Sequence, residues 1–188
     1  MLQPGNVPVI LAAIDRQYEN TVDLRNLVGT DATSFNSYTV VVKIKASENL
    51  VGGTQCRLAI RAPNTTTCAW TAMYFGQAAT TGNAYDFATT PVQVLFGGLG
   101  TLTVPQQKTV MSDPINLEFN PAKAHILAIN VSGTTLRRLT SATTRGVVSY
   151  YRAATSEAST VAKTAGYTAQ ANTSFGLSLI QAWRAVDI

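Results

Sequence analysis

The chain has 188 residues and a formal net charge of +4, with only 13% of residues charged and 46% hydrophobic. That length suits one sandwich or barrel with a real core and is short for two ordinary domains. The 14 basic residues are scattered, with Arg137-Arg138 as the one basic doublet, so the clustered cationic stripe from which nucleic-acid affinity is built is missing and no nucleic-acid partner is expected. Twenty-six threonines favour pleated strands over helices. So low a charge on so small a chain also points to surface covered by another subunit, hence to self-association.

The chain opens MLQPGNVPVILAAIDRQYEN, apolar from Val7 to Ile14 apart from Pro8. It lacks the preceding positive charges of a secretory signal, and eight residues cannot span a bilayer, so no membrane partner is expected. Residues 1–36 show no strong alternation and read as an N-terminal arm or docking segment. Val7, Val9, Ile10, Leu11 and Ile14 form an apolar cluster that water would penalise at about 25 cal/mol per Å². They are expected to be buried against a partner subunit.

Regular β pattern begins at Ser37. SYTVVVKIKA places Val40, Val42 and Ile44 on one face and Val41, Lys43 and Lys45 on the other, and TQCRLAIRA sets Cys56, Leu58 and Ile60 against Arg57 and Arg61. Both read as half-buried strands with a wet side. Cys56 and Cys68 flank RAPNTTT and would face each other across a hairpin near Ala62-Pro63. Both a disulfide and two buried free thiols fit that spacing, free thiols being the commoner case in a cytosol. TCAWTAMYFGQAA is apolar on both faces, as a central or interface strand is. The loop ATTGNAYDFATTP then presents Tyr85, Asp86 and Phe87, candidates for stacking a glycan or meeting a neighbouring subunit.

Further strands are expected at TPVQVLFGG, GTLTVP, PINLEF, HILAINVSG and RGVVSYYRA, with a Thr-rich stretch TTLRRLTSATT before the last of these. TSEASTVAKTAGYTAQAN reads as a long excursion, and SFGLSLIQAWRAVDI as a closing strand with Phe175, Leu177 and Leu179 alternating. Asn64, Asn130 and Asn172 head Asn-x-Ser/Thr triplets, which a Thr-rich chain produces by chance. About eight short antiparallel strands without a long amphipathic helix predict an all-β fold, an antiparallel β-sandwich over 37–188, with jelly roll the first choice.

The ordered string Phe96-Gly97-Gly98, Val104-Pro105, Ser112-Asp113-Pro114, Ile115-Leu117-Phe119 and Leu127 to Gly133 resembles the jelly-roll virion proteins of tailed phages and gene transfer agents. It is more loosely similar to the accessory β-sandwich of SGNH-type esterases. Gly166-Tyr167-Thr168 and Ser174-Phe175-Gly176-Leu177 resemble the closing element of phage head-fibre and spike-base jelly rolls. The resemblance spans about residues 37–188 and implies a non-catalytic building block, because the Gly-Asp-Ser-like block of the esterases is missing.

The sequence also lacks GxSxG, HExxH and phosphate-loop patterns. His125, the sole histidine, reads as a surface or hydrogen-bonded strand residue, not as a catalytic base or metal ligand. Asp86, Glu118 and Asp113 are the carboxylates left for glycosidase-like chemistry, and their contexts are ordinary. No enzyme activity, cofactor or metal is expected. The leading expectation is a structural protein of a tailed-phage virion, serving as head decoration, spike base or fibre, that binds copies of itself and other virion proteins. A carbohydrate-binding module for host attachment and a capsid protein of a small icosahedral virus are the alternatives.

Overall fold

The computed structural model describes residues 16–35, 37–153 and 156–185. Among them are fourteen strands and one short 3-10 turn, Ala46–Glu48. The strands are β1 Arg16–Asp23, β2 Val28–Phe35, β3 Tyr38–Ile44, β4 Gln55–Arg61, β5 Cys68–Gln77, β6 Val92–Gln93 and β7 Leu102–Val104. Then follow β8 Thr109–Met111, β9 His125–Val131, β10 Thr134–Thr140, β11 Val147–Ala153, β12 Thr168–Ala171, β13 Thr173–Phe175 and β14 Leu177–Ala185. Every pairing between these strands is antiparallel.

Three sheets result, ordered β1-β14-β4-β8, β13-β10-β2 and β12-β11-β3-β9-β5-β6, with β7 also on β5. Their inner faces meet in one core that includes Trp70, Phe75, Phe119 and Phe175, so the fold is an all-β sandwich. Gly176, at φ +76°, joins β13 to β14 and lets the chain pass from one sheet to another where a side chain would be strained.

The arm boundary expected at residue 36 does not hold. Residues 16–35 are two sandwich strands, β1 on β14 and β2 on β10. Their sequences hide this because few of their described side chains reach the core, Thr21 and Val22 of β1 and Phe35 of β2, and a bulge between Asn20 and Val22 breaks the alternation. Val7, Val9, Ile10, Leu11 and Ile14 lie outside the described residues.

Other expectations change too. TPVQVLFGG shrinks to the two residues of β6, and PINLEF makes only isolated bridges, Ile115 to Cys56 and Phe119 to Gly53. The proposed hairpin at Ala62-Pro63 is instead a crossing between sheets, since β4 and β5 belong to different ones. Cys56 and Cys68 are both buried thiols, the Cys68 thiol donating to the Thr135 carbonyl at 3.0 Å, and burial pushes the Cys56 thiol up to about 12. Of the basic doublet, Arg137 is buried over Gly29, leaving no room for a Cβ there, and pairs with Asp31 at 2.9 Å. Burial would raise the Asp31 carboxyl, but donors from Asn64, Thr65 and Arg137 bring it down to about 2.

Candidate functional site

The loop holding Tyr85, Asp86 and Phe87 does not form an exposed platform. Tyr85 is 7% exposed and Phe87 2%, and both belong to a second apolar cluster with Val41, Ile126, Ala128 and Ala158. This cluster sits on the outer face of the β3-β9-β5 sheet, under the excursion from 156 to 167. Tyr85 packs on Tyr167 at 4.4 Å and Tyr150 at 5.4 Å, while Phe87 covers Gly76, where an added Cβ would come within 3.1 Å of its ring. The outer side of β3, expected to be wet, is dry at Val41 for the same reason.

Asp86 is the clip. Its carboxylate accepts the Lys163 N–H at 2.8 Å and the Asn83 N–H at 2.9 Å, tying two loops together. The Lys163 ammonium lies 3.9 Å over the Phe87 ring and donates to the Thr160 carbonyl at 2.8 Å. Burial lowers its pKa to about 8, with Asp86 and Glu157 pulling the other way. Glu157 accepts the Thr164 and Tyr167 hydroxyls and holds the far end of the excursion. With both aromatic faces occupied and both Asp86 oxygens engaged by backbone donors, these groups hold a lid in place.

His125 is neither at the surface nor paired through Nδ1. It is 1% exposed and its ring stacks 4.1 Å from Phe119 and 5.8 Å from Phe75, with Nδ1 lacking a hydrogen-bond partner. Burial drops its pKa to about 4, partly offset by the Lys123 carbonyl. Asp113 accepts the Gly97 and Gly98 N–H groups and so fixes the Phe96–Leu99 turn. Among the described residues no three His, Cys, Asp or Glu side chains are grouped to hold a metal.

The open site lies elsewhere. At one end of the sandwich a cleft of about 710 Å³ is lined on one side by Gly52, Gly53 and Phe119. Gly53 exchanges two backbone hydrogen bonds with Phe119, and a Cβ on it would meet the Trp183 carbonyl oxygen at 2.3 Å. Glycine is therefore required for the close approach of three chain segments. Exposed Glu118 and Pro121 form one rim, and Arg184, weakly paired with Glu19 at 3.4 Å, forms the other. Beside it, on the outer face of the four-stranded sheet, Trp183 meets Tyr18 edge-on at 4.8 Å and the Arg57 guanidinium lies 4.0 Å over Tyr18.

Sequence reasoning weighed Glu118 singly and did not join it to Trp183 or Arg184. What unites the cleft is the Gly53–Phe119 bridge across 66 positions, and the only local hint is the doublet Gly52-Gly53. A comparison with protein-family models finds no match, and a comparison with curated proteins finds none either.

Proposed function

We propose that this chain is a non-enzymatic structural protein of a tailed-phage or phage-like virion, a β-sandwich building block that associates with copies of itself and docks on the particle. The observation that carries the reading is the position of β1. This eight-residue strand forms the edge of the four-stranded sheet, pairs only with β14 among the described residues, and directly follows the apolar stretch of residues 7–14. An edge strand, even one whose Thr21 is tied to Leu50 and Val51, is a template for pairing with another chain, and an apolar stretch beside it supplies burial energy. The use of Asp86, Lys163, Glu157, Asp31 and Arg137 as clamps between loops and strands also supports a structural role. Residues 1–15 then act as the docking arm, with its boundary moved from 36 to the start of β1.

Attachment to a glycan remains an alternative function, but it would need a surface other than Tyr85 and Phe87, whose rings are covered. Sedimentation velocity of the full chain over a hundredfold concentration range tests the reading. The expected result is concentration-dependent association that is lost when residues 1–14 are removed. A monomer at every concentration would overturn it.

A further inference from the structure

Independently of the self-association reading, we infer that the outer face of the four-stranded sheet is a saccharide-binding site, with the Trp183 ring as its stacking platform and Arg57, Asn20 and Gln55 as its hydrogen-bonding groups. It is the surface that a glycan reading needs once Tyr85 and Phe87 are covered. Strand register builds it. Tyr18, Trp183 and Gln55 stand opposite one another across β1, β14 and β4, and two positions along, on the same face, Asn20, Gln181 and Arg57 form a second row. The two rows make a patch about 10 Å across the strands and about 7 Å along them.

The bonding capacity left open on this patch suits a sugar. Arg57 Nε donates to Gln181 and the guanidinium lies 4.0 Å over the Tyr18 ring, yet its terminal nitrogens have no acceptor and no ion-pair partner among the described residues. Asn20 accepts from Gln181 and keeps its own amide N–H groups, while Gln55 donates to Asn116 and keeps its carbonyl oxygen. The Tyr18 hydroxyl is enclosed without a partner, so packing against Arg57 and Trp183 holds that ring in place. Trp183 is half-buried, and Tyr18 meets it edge-on, a contact that takes up at most one face of the indole. A pyranose ring has an apolar C–H face and a rim of hydroxyls. Its face stacks on the remaining indole surface, and its rim meets the donors of Arg57 and Asn20 and the acceptor of Gln55. Because Arg57 is already fixed by Gln181 and Tyr18, little side-chain freedom is lost on binding.

The same chemistry disfavours other occupants. Nucleic acid is held by several cations acting together, and Arg57 is the only one in the two rows. A protein partner of ordinary size buries about 800 Å² per side around an apolar centre, whereas amides and a guanidinium occupy the centre of this patch. The neighbouring cleft extends the site. Trp183 lines it as well, together with Thr54, Glu118, Asn120 and Arg184, so a saccharide longer than the first stacked ring finds further polar groups there.

The full chain is tested against a panel of short oligosaccharides from bacterial capsules and lipopolysaccharides, and the tightest-bound one is then titrated by calorimetry. A short oligosaccharide occupies one chain at a time, so the readout does not depend on self-association. In the unmodified chain, saturation with it should shield one of the two tryptophans from acrylamide quenching. That tryptophan is Trp183, since Trp70 is 2% exposed in the core, and Trp183→Phe should abolish the shielding. Trp183→Ala and Arg57→Gln are each expected to weaken binding about tenfold or more while cooperative unfolding is retained. A panel without a hit overturns the inference. So does a bound oligosaccharide whose affinity neither variant changes, because the sugar then sits elsewhere. Should either variant fail to fold, the quenching of the unmodified chain decides, and a bound sugar that shields no tryptophan overturns the site.

Discussion

Over the β3-β9-β5 sheet the outer face is sealed by the chain's own loops, with Phe87 2% and Tyr85 7% exposed. Over the β1-β14-β4 sheet the corresponding region is left open and polar. There Arg57 Nε donates to Gln181 at 2.7 Å and Gln181 donates to Asn20 at 2.9 Å, next to Tyr18 and Trp183. A sheet with apolar residues on both faces must bury both, and this chain does so by ordering residues 156–167 as a lid, an entropic cost offset by the Asp86 and Glu157 hydrogen bonds and by a second core. A sheet with one polar face needs no cover. The difference explains why a loop that looked like a binding surface is part of the fold.

Truncation on the two sides should separate them most sharply. Phe87→Ala removes a fully enclosed ring from the second core and is expected to cost about 3 to 5 kcal/mol of unfolding free energy in urea. Trp183→Ala, although it deletes a larger side chain, acts where the ring is only half-buried and should cost less than half as much. Equal losses would mean that the outer faces are energetically alike.

Two buried bases, one in the interior shared by the sheets and one under the lid, extend the contrast to pH. His125 is held near 4, below its ordinary 6.5, so the unfolded chain takes up the proton first. Its contribution is fully present above pH 6.5 and is lost as pH falls towards 4, by up to about 3 kcal/mol. Lys163, lowered to about 8 from 10.5, follows the same sign at higher pH: the folded protein sheds that proton first, so stability rises from pH 8 towards 10.5. Urea unfolding across pH should therefore show two upward steps with rising pH. His125→Phe is expected to erase the lower and Lys163→Met the upper. Survival of the lower step in His125→Phe would assign it to carboxylates, although Asp31, held near 2, belongs to a window below about 3.8.

The class of fold was legible from alternation at β3, β4, β9 and β14, whose apolar residues 40, 42 and 44, or 58 and 60, do face the core. What alternation could not reveal was coverage. Val41 and Ile126 are ordinary outward positions until the 156–167 excursion closes over them, and nothing local in TSEASTVAKTAG announces that Lys163 will reach Phe87 across 76 positions. Edge strands were illegible for the opposite reason. Arg16–Asp23 and Val28–Phe35 carry mixed polar sequences because few of their described side chains reach the core, and the β1 bulge between Asn20 and Val22 puts two consecutive residues, Thr21 and Val22, in it. The cleft, made by backbone approach at glycines, left almost no side-chain signature.

The smallest effect should come from the open face itself. Gln181 is half-buried and bridges Arg57 to Asn20, so Gln181→Ala breaks two side-chain hydrogen bonds that water can replace, at a cost of at most about 1 kcal/mol. The Arg57 guanidinium keeps its place over the Tyr18 ring, which limits the loss further. Because the self-association proposed for residues 1–15 does not use this polar ladder, the same variant should leave the association constant within twofold by sedimentation equilibrium. A tenfold loss of association with unchanged unfolding would instead make the polar face the contact between copies, and the comparison would then be between a face covered from within and one covered from outside.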